Sequence, residues 1–264
     1  MSIQDILSVY AVLFGLVFGS YLNVVIFRLP RRISTFLPRS RCPRCRAPIP
    51  PWGNIPVLSY LLLLGRCRHC GAKISWRYPL IEIVTGVCFL LAYLRFDNPA
   101  EGVIAIVFCC AMIVLGMIDL EHYILPDVIT KPGVVLGLVL QPWIGWCTLR
   151  EAVIGVLLGA GVLAALSWGW YWWKGVQGMG LGDVKMLAMI GAFLGWQNVV
   201  ITLLLSSLAG SLVGAAMMLG GRMGPQSKLP FGFFLASSAI VTLFYASDLL
   251  DFYLAVTGLG PLIS

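Results

Sequence analysis

The fold and the function of this chain both turn on Gly178 to Leu194, GMGLGDVKMLAMIGAFL, where one carboxylate, Asp183, stands at the mouth of an apolar helix behind alternating glycines. Desolvating an ionised Asp beside a hydrocarbon-length segment is costly, so such a group survives near water, paired, or protonated. Gly178, Gly180 and Gly182 disfavour regular helix before the acid and allow another segment or a substrate to approach closely. A second acid in the same setting is Asp119, which ends the apolar run VIAIVFCCAMIVLGMID.

Outward from these acids the chain is apolar almost throughout. Its 264 residues are 59% hydrophobic and 11% charged, with a mean hydropathy of +0.93. That is too little polar surface to coat a soluble globule, so the expected fold is an all-α polytopic membrane protein. Eight spans are expected, at 6–27, 79–94, 102–118, 128–146, 152–173, 184–194, 199–219 and 231–256. The first carries no basic residue before it and is longer than a secretory h-region, which argues against a cleaved signal peptide. The sixth is short for a bilayer and is led by glycines.

The net charge of +7 does not point to nucleic acid, because eleven of the eighteen Lys and Arg residues lie between Arg28 and Arg77. With the N-terminus outside, sixteen of the eighteen fall in or beside loops on one side, leaving Arg95 and Arg150 opposite. By the positive-inside rule the first side is cytoplasmic, and both Asp119 and Asp183 belong to it. The expected organisation is a first helix (1–27), a cytoplasmic insert (28–78) and a seven-helix membrane core (79–264). Small residues four apart, Gly155 with Gly159 and Gly210 with Gly214, would let core helices pack closely.

The insert carries Cys42-Pro-Arg-Cys45 and Cys67-Arg-His-Cys70, two C-x2-C pairs 21 residues apart. This spacing matches a structural zinc site of four thiolates in a zinc-ribbon-like loop between the first and second helices. Zinc would supply folding energy that a 51-residue loop with little apolar core lacks. Disulfides fit a cytoplasmic loop badly, and a redox dithiol does not need two copies. His69 reads as a solvent-facing residue inside the second knuckle. Cys88, Cys109, Cys110 and Cys147 read as small hydrophobes in apolar spans.

Two carboxylates in hydrogen-bond reach in a partly dry site share one proton, which is the state that hydrolyses peptides in aspartic proteases. The alternatives are an interfacial acid for Asp119, with Glu121, His122 and Asp127 in one solvated turn, and a helix N-cap for Asp183. Lys185 could stabilise an ionised form of the pair or anchor the helix at the interface.

Several blocks in order resemble the type IV prepilin leader peptidases, membrane aspartic proteases with a G-x-G-D signature: GSYLNVVIFRLP (19–30), RSRCPRCRAPI, NIPVLSY (54–60), GRCRHCGAKISWRYPLIE, IDLEHYILPD (118–127) and GMGLGDVKMLAMIGAFLGW (178–196). The resemblance implies that Asp119 and Asp183 are the catalytic pair. It implies prepilin and pseudopilin substrates, of type IV pili or type II secretion, cut after a short basic leader at the cytoplasmic face of the bacterial inner membrane. Members with the tetracysteine loop are typically bifunctional and N-methylate the new terminal residue, usually phenylalanine, with S-adenosylmethionine. All four cysteines are present, so this second activity is expected, although no nucleotide fingerprint marks the methyl donor's residues. Glu121 and Asp127, beside Asp119, are candidates to receive the basic leader. At Leu229 to Ala236 the chain reads LPFGFFLA where many relatives have proline at the position of Phe233, a departure expected to touch neither acid. The competing classes are a proton-coupled transporter, with acids near the bilayer midplane and paired broken helices, and a noncatalytic scaffold built on the zinc loop.

Overall fold

The computed structural model describes residues 2–36, 40–175, 180–221 and 229–257. Gly178 of the glycine run and the basic residues Arg39, Arg222 and Lys228 of the topology count lie outside the described residues. The helices are α1 (Ile3–Arg28), α2 (Leu58–Leu62), α3 (Arg77–Arg95), α4 (Pro99–His122), α5 (Asp127–Ile144), α6 (Leu149–Lys174), α7 (Leu181–Leu219) and α8 (Phe231–Thr257). No strand occurs among the described residues, only two isolated bridges, Arg41 with Pro48 and Arg66 with Lys73.

All eight expected spans are helical. Six helices, α1, α3, α4, α6, α7 and α8, are long and apolar enough to cross a membrane among the described residues. The count differs from eight for two reasons. Helix α5 is diluted by Asp127, Lys131, Gln141 and two prolines, and α7 holds two expected spans in one helix broken at Gly195 (φ 78°, ψ 172°).

The chain forms two compact units, Met1–Ile118 and Asp119–Ser264. In the first, α1 lies on α3 at backbone contact. A Cβ on Gly19 would sit 2.6 Å from the Cα of Glu82. Asn23 donates from Nδ2 to the Tyr78 carbonyl at 3.1 Å, and the Val57 amide donates to Glu82 Oε2 at 2.7 Å, tying the turn before α2 to α3.

In the second unit the first half of α7 is wrapped on all sides: the ten residues Met186 to Gly195 are buried without interruption. The expected glycine pairs explain how. On α6, a Cβ at Gly155 would lie 2.6 Å from the Gly191 carbonyl and one at Gly159 would lie 2.7 Å from that of Leu187. Helix α5 brings Gly133 against Met189 and Gly137 against Ala192, while Gly210 and Gly214 face Phe234 and Leu229. Close backbone approach replaces the hydrophobic drive that lipid does not provide.

The break at Gly195 frees the carbonyls of Ala192 and Phe193, whose partners four residues on are turned away. Gln141 of α5 meets both, donating from Nε2 at 2.6 Å to Ala192 and 3.2 Å to Phe193, and the Cys147 thiol reaches the Phe193 carbonyl at 3.8 Å. A Gln141→Leu variant keeps the volume and removes the donor. Its unfolding free energy in detergent is expected to fall by about 1–3 kcal/mol, the cost of an orphaned buried acceptor, as read from denaturant titration.

Candidate active site and metal centre

Helix α4 delivers Asp119 three residues before its end at His122, where the chain turns through Tyr123 (φ 54°), whose amide donates to the Asp119 carbonyl at 2.8 Å. The Asp119 side chain is buried, at 6% exposure. Its Oδ2 accepts the amide of Phe233 at 3.2 Å, in the first turn of α8. The fit is possible because residue 232 is glycine: a Cβ there would stand 2.9 Å from Asp119 Oδ2. The Phe233 departure therefore does touch an acid, contrary to the expectation from sequence, because the contact is made by its backbone N–H.

Helix α7 delivers Asp183 in its first turn, where the amide donates to the Gly180 carbonyl at 3.3 Å. The Asp183 side chain is half-buried. Leu125, in the turn between α4 and α5, joins the pieces. Its Cβ would be 3.0 Å from a Cβ at Gly182 and its Cδ1 would be 3.2 Å from one at Gly232. The starts of α7 and α8 and the end of α4 thus converge on one side chain. A side chain at 182 would push α7 off Leu125, which gives that glycine of the G-x-G-D run a packing role; a Cβ at Gly180 would make only an ordinary contact, 3.9 Å from the Gly182 amide nitrogen. Both acids lie at helix ends, where a transporter relay would require them mid-span.

Lys185 does not attend the acids. Its Nζ is 2.7 Å from Asp127 Oδ1, and Lys131 Nζ is 2.7 Å from Oδ2 of the same carboxylate. Lys131 first, and then Lys185, hold the Asp127 carboxyl below the usual range. Two lysines already match its charge, so Asp127 is poorly suited to receiving a basic leader. These exposed pairs stabilise little by themselves, but they link the first turns of α5 and α7. Glu121 is exposed at the end of α4.

In the first unit the four sulfurs of Cys42, Cys45, Cys67 and Cys70 all lie within 4.8 Å of one another, with Cys42 and Cys70 at 3.9 Å. Tetrahedral thiolates about 2.3 Å from zinc would stand about 3.8 Å apart, so the donor set fits that ion with small adjustment. Each pair sits in the same knuckle. Cys42 N donates to Ala47 O and Arg46 N to Cys42 O at 3.0 and 2.8 Å; Cys67 N donates to Ala72 O and Gly71 N to Cys67 O at 2.8 and 2.9 Å. The Cys45 and Arg44 amides draw the Cys42 thiol down to about 6, toward the thiolate a metal needs.

The two knuckles are an internal repeat that the reading of the sequence passed over. RCPRCRAPI (41–49) and RCRHCGAKI (66–74) align residue for residue, and Arg46 (φ 57°) takes the left-handed conformation that Gly71 (φ 66°) takes in the second copy. Cys88 and Cys109 are buried, as expected of small hydrophobes, while Cys110 and Cys147 are half-buried.

Comparison with known proteins agrees with this division. Residues 13–96 match the family model described as Bacterial Peptidase A24 N-terminal domain, and residues 106–215 match the Type IV leader peptidase family. The first match holds all four clustered cysteines and the second both acids. A protein of Burkholderia pseudomallei (strain 1026b) named prepilin leader peptidase/N-methyltransferase is 37% identical, over 94% of this chain and 88% of its own length. One of the same name from Aeromonas salmonicida (strain A449) is 38% identical over 92% of each chain. Another, from Myxococcus xanthus (strain DK1622), is 42% identical over 84% of this chain and 66% of its own. No solved structure matches. With the Burkholderia and Aeromonas relatives this similar over 88% and 92% of their own length, and with the acids and cysteines inside the two matched regions, the chain belongs to the prepilin leader peptidase/N-methyltransferase family.

Proposed function

We propose that this protein is a bacterial inner-membrane prepilin peptidase that cuts the basic leader from prepilins and pseudopilins with Asp119 and Asp183, and that it N-methylates the new terminus. The observation that carries the reading is that two acids 64 positions apart, one ending α4 and one opening α7, are drawn toward one side chain, Leu125, which packs on Gly182 beside Asp183 and on Gly232 against Asp119. The ionised carboxylate takes a proton from water as the water oxygen bonds to the scissile carbonyl carbon. Its protonated partner donates to the carbonyl oxygen, and collapse of the tetrahedral intermediate breaks the C–N bond as the leaving nitrogen takes up a proton.

The substrate logic is physical. A pilin helix is apolar and lies in the bilayer, while its basic leader stays in the cytoplasm, so the scissile bond waits at the interface. The charge distribution supports an N-terminus outside and acids on the cytoplasmic side. The four clustered cysteines would hold zinc and brace the loop, with no part in the chemistry. S-adenosylmethionine, when bound, would supply the electrophilic methyl group for the new terminal amine.

The test is incubation of the purified full chain with a prepilin, with and without S-adenosylmethionine, reading the N-terminal sequence and mass of the product. The expected result is a single cut at the leader boundary, and a gain of one methyl group only when the donor is present. Recovery of intact prepilin would overturn the peptidase reading, and a cut product of unchanged mass would overturn the methylation.

A further inference from the structure

Asp119 and Asp183 do not stand in equivalent surroundings. Asp119 is the more buried, yet it alone lies at the start of another long helix, with Oδ2 at 3.2 Å from the Phe233 amide and against the Cβ-free face of Gly232. That amide belongs to the first turn of the 27-residue α8, where N–H groups lack intrahelical acceptors and the helix dipole favours negative charge. Asp183 opens its own long helix α7 but has no corresponding donor among the described side-chain hydrogen bonds. The direct N–H donor is what distinguishes Asp119, and a donor of that kind favours a carboxylate.

Resting on the dyad reading above, we propose that the backbone amide of Phe233 is a positioning group that holds Asp119 as the ionised partner, the one that takes the proton from water, and so sets the low-pH limit of cleavage. The neighbouring Gly232 amide contributes in the same sense but less, and stays in a proline variant at 233; the charged or titratable groups nearby do not replace the Phe233 donor. Glu121 and His122 are on α4 itself, Lys185 of α7 is paired with Asp127 of α5, and the first turn of α8 carries no acid.

Phe233→Pro is then a selective probe. Residue 233 is the third of α8, where an N–H has no helical acceptor and proline is tolerated. In the full chain in lipid vesicles, cleavage of a prepilin is measured as a function of pH. Losing one N–H donor to a carboxylate is expected to move the acid limb of kcat/KM upward by about one pH unit, because the ionised form then persists only at higher pH. Phe233→Ala removes the ring and keeps the amide; its rate is free to change, but its acid limb stays in place. Gly232→Ala puts a Cβ against the carboxylate and is expected to shift the same limb upward while lowering kcat, so it decides the matter if the proline variant does not fold.

A Phe233→Pro profile that superimposes on the parent, or a shift in the alkaline limb alone, overturns the assignment. A parent-like rate in Asp119→Asn would instead sink the dyad reading, a separate outcome.

Discussion

Asp119→Asn and Asp183→Asn, made separately, are each expected to lower prepilin cleavage by about 10⁴-fold or more, the scale on which single members of a catalytic unit act. The two losses should not add, since either substitution removes the shared proton's exchange partner. Folding should survive. Asparagine has the shape of aspartate, and its Oδ1 can still accept the Phe233 amide that Asp119 Oδ2 now accepts at 3.2 Å. The checks are thermal unfolding in detergent, expected to be unchanged, and methylation of a substrate supplied already cut, expected to persist. A scaffold or transporter would show no such dependence of processing on both residues, so parent-like cleavage by either variant removes the hydrolase.

The second large effect concerns metal. Cys42→Ser or Cys67→Ser takes one thiolate from a set whose sulfurs lie within 4.8 Å of one another. The expected result is a fall in zinc affinity of more than about 100-fold, beyond what the loss of a mere supporting partner costs. Zinc content by atomic emission should drop from one ion per chain toward none. Metal binding in such loops is worth about 10 kcal/mol of folding free energy, so the segment 40–75 should become sensitive to protease in the variants and in chelator-treated parent protein. Cys110→Ser, at a half-buried residue of α4 outside the cluster, should leave zinc content unchanged. Equal zinc content in parent and Cys42→Ser would rule out the four-thiolate site.

Much of this was readable before the structure because the informative signals are local or cumulative. Basic residues gathered in one loop, apolar runs of bilayer length and two C-x2-C pairs each declare themselves within a short window. Asp119 and Asp183 stood out for the same reason, each being a lone acid against an apolar run. What sequence did not disclose depends on groups that carry no side-chain identity or on partners far away. The Phe233 contact is made by a backbone N–H, so a reading of side-chain identities placed the residue away from both acids. Lys185 stood near Asp183 in sequence, but its true partner is 58 positions away at Asp127. Gln141 is a lone amide in an apolar helix, and its role depends on two carbonyls 51 and 52 positions further on, beside the break at Gly195. The knuckle repeat is the exception: it was visible as an offset of 25 residues and was obscured by the arginine that stands in the first copy where the second has glycine.

The uninterrupted enclosure of Met186 to Gly195 has a consequence for how the enzyme would meet different membranes. From Leu181 to the break the helix is 14 residues, about 21 Å, shorter than a hydrocarbon layer of about 30 Å. Clad by protein instead of acyl chains, this peg does not have to tilt or stretch when the bilayer thickens or thins. The level at which Asp183 would meet a peptide bond is therefore dictated by neighbouring helices, and on the proposed function the choice of cut should stay the same across lipids of different chain length even where the rate does not.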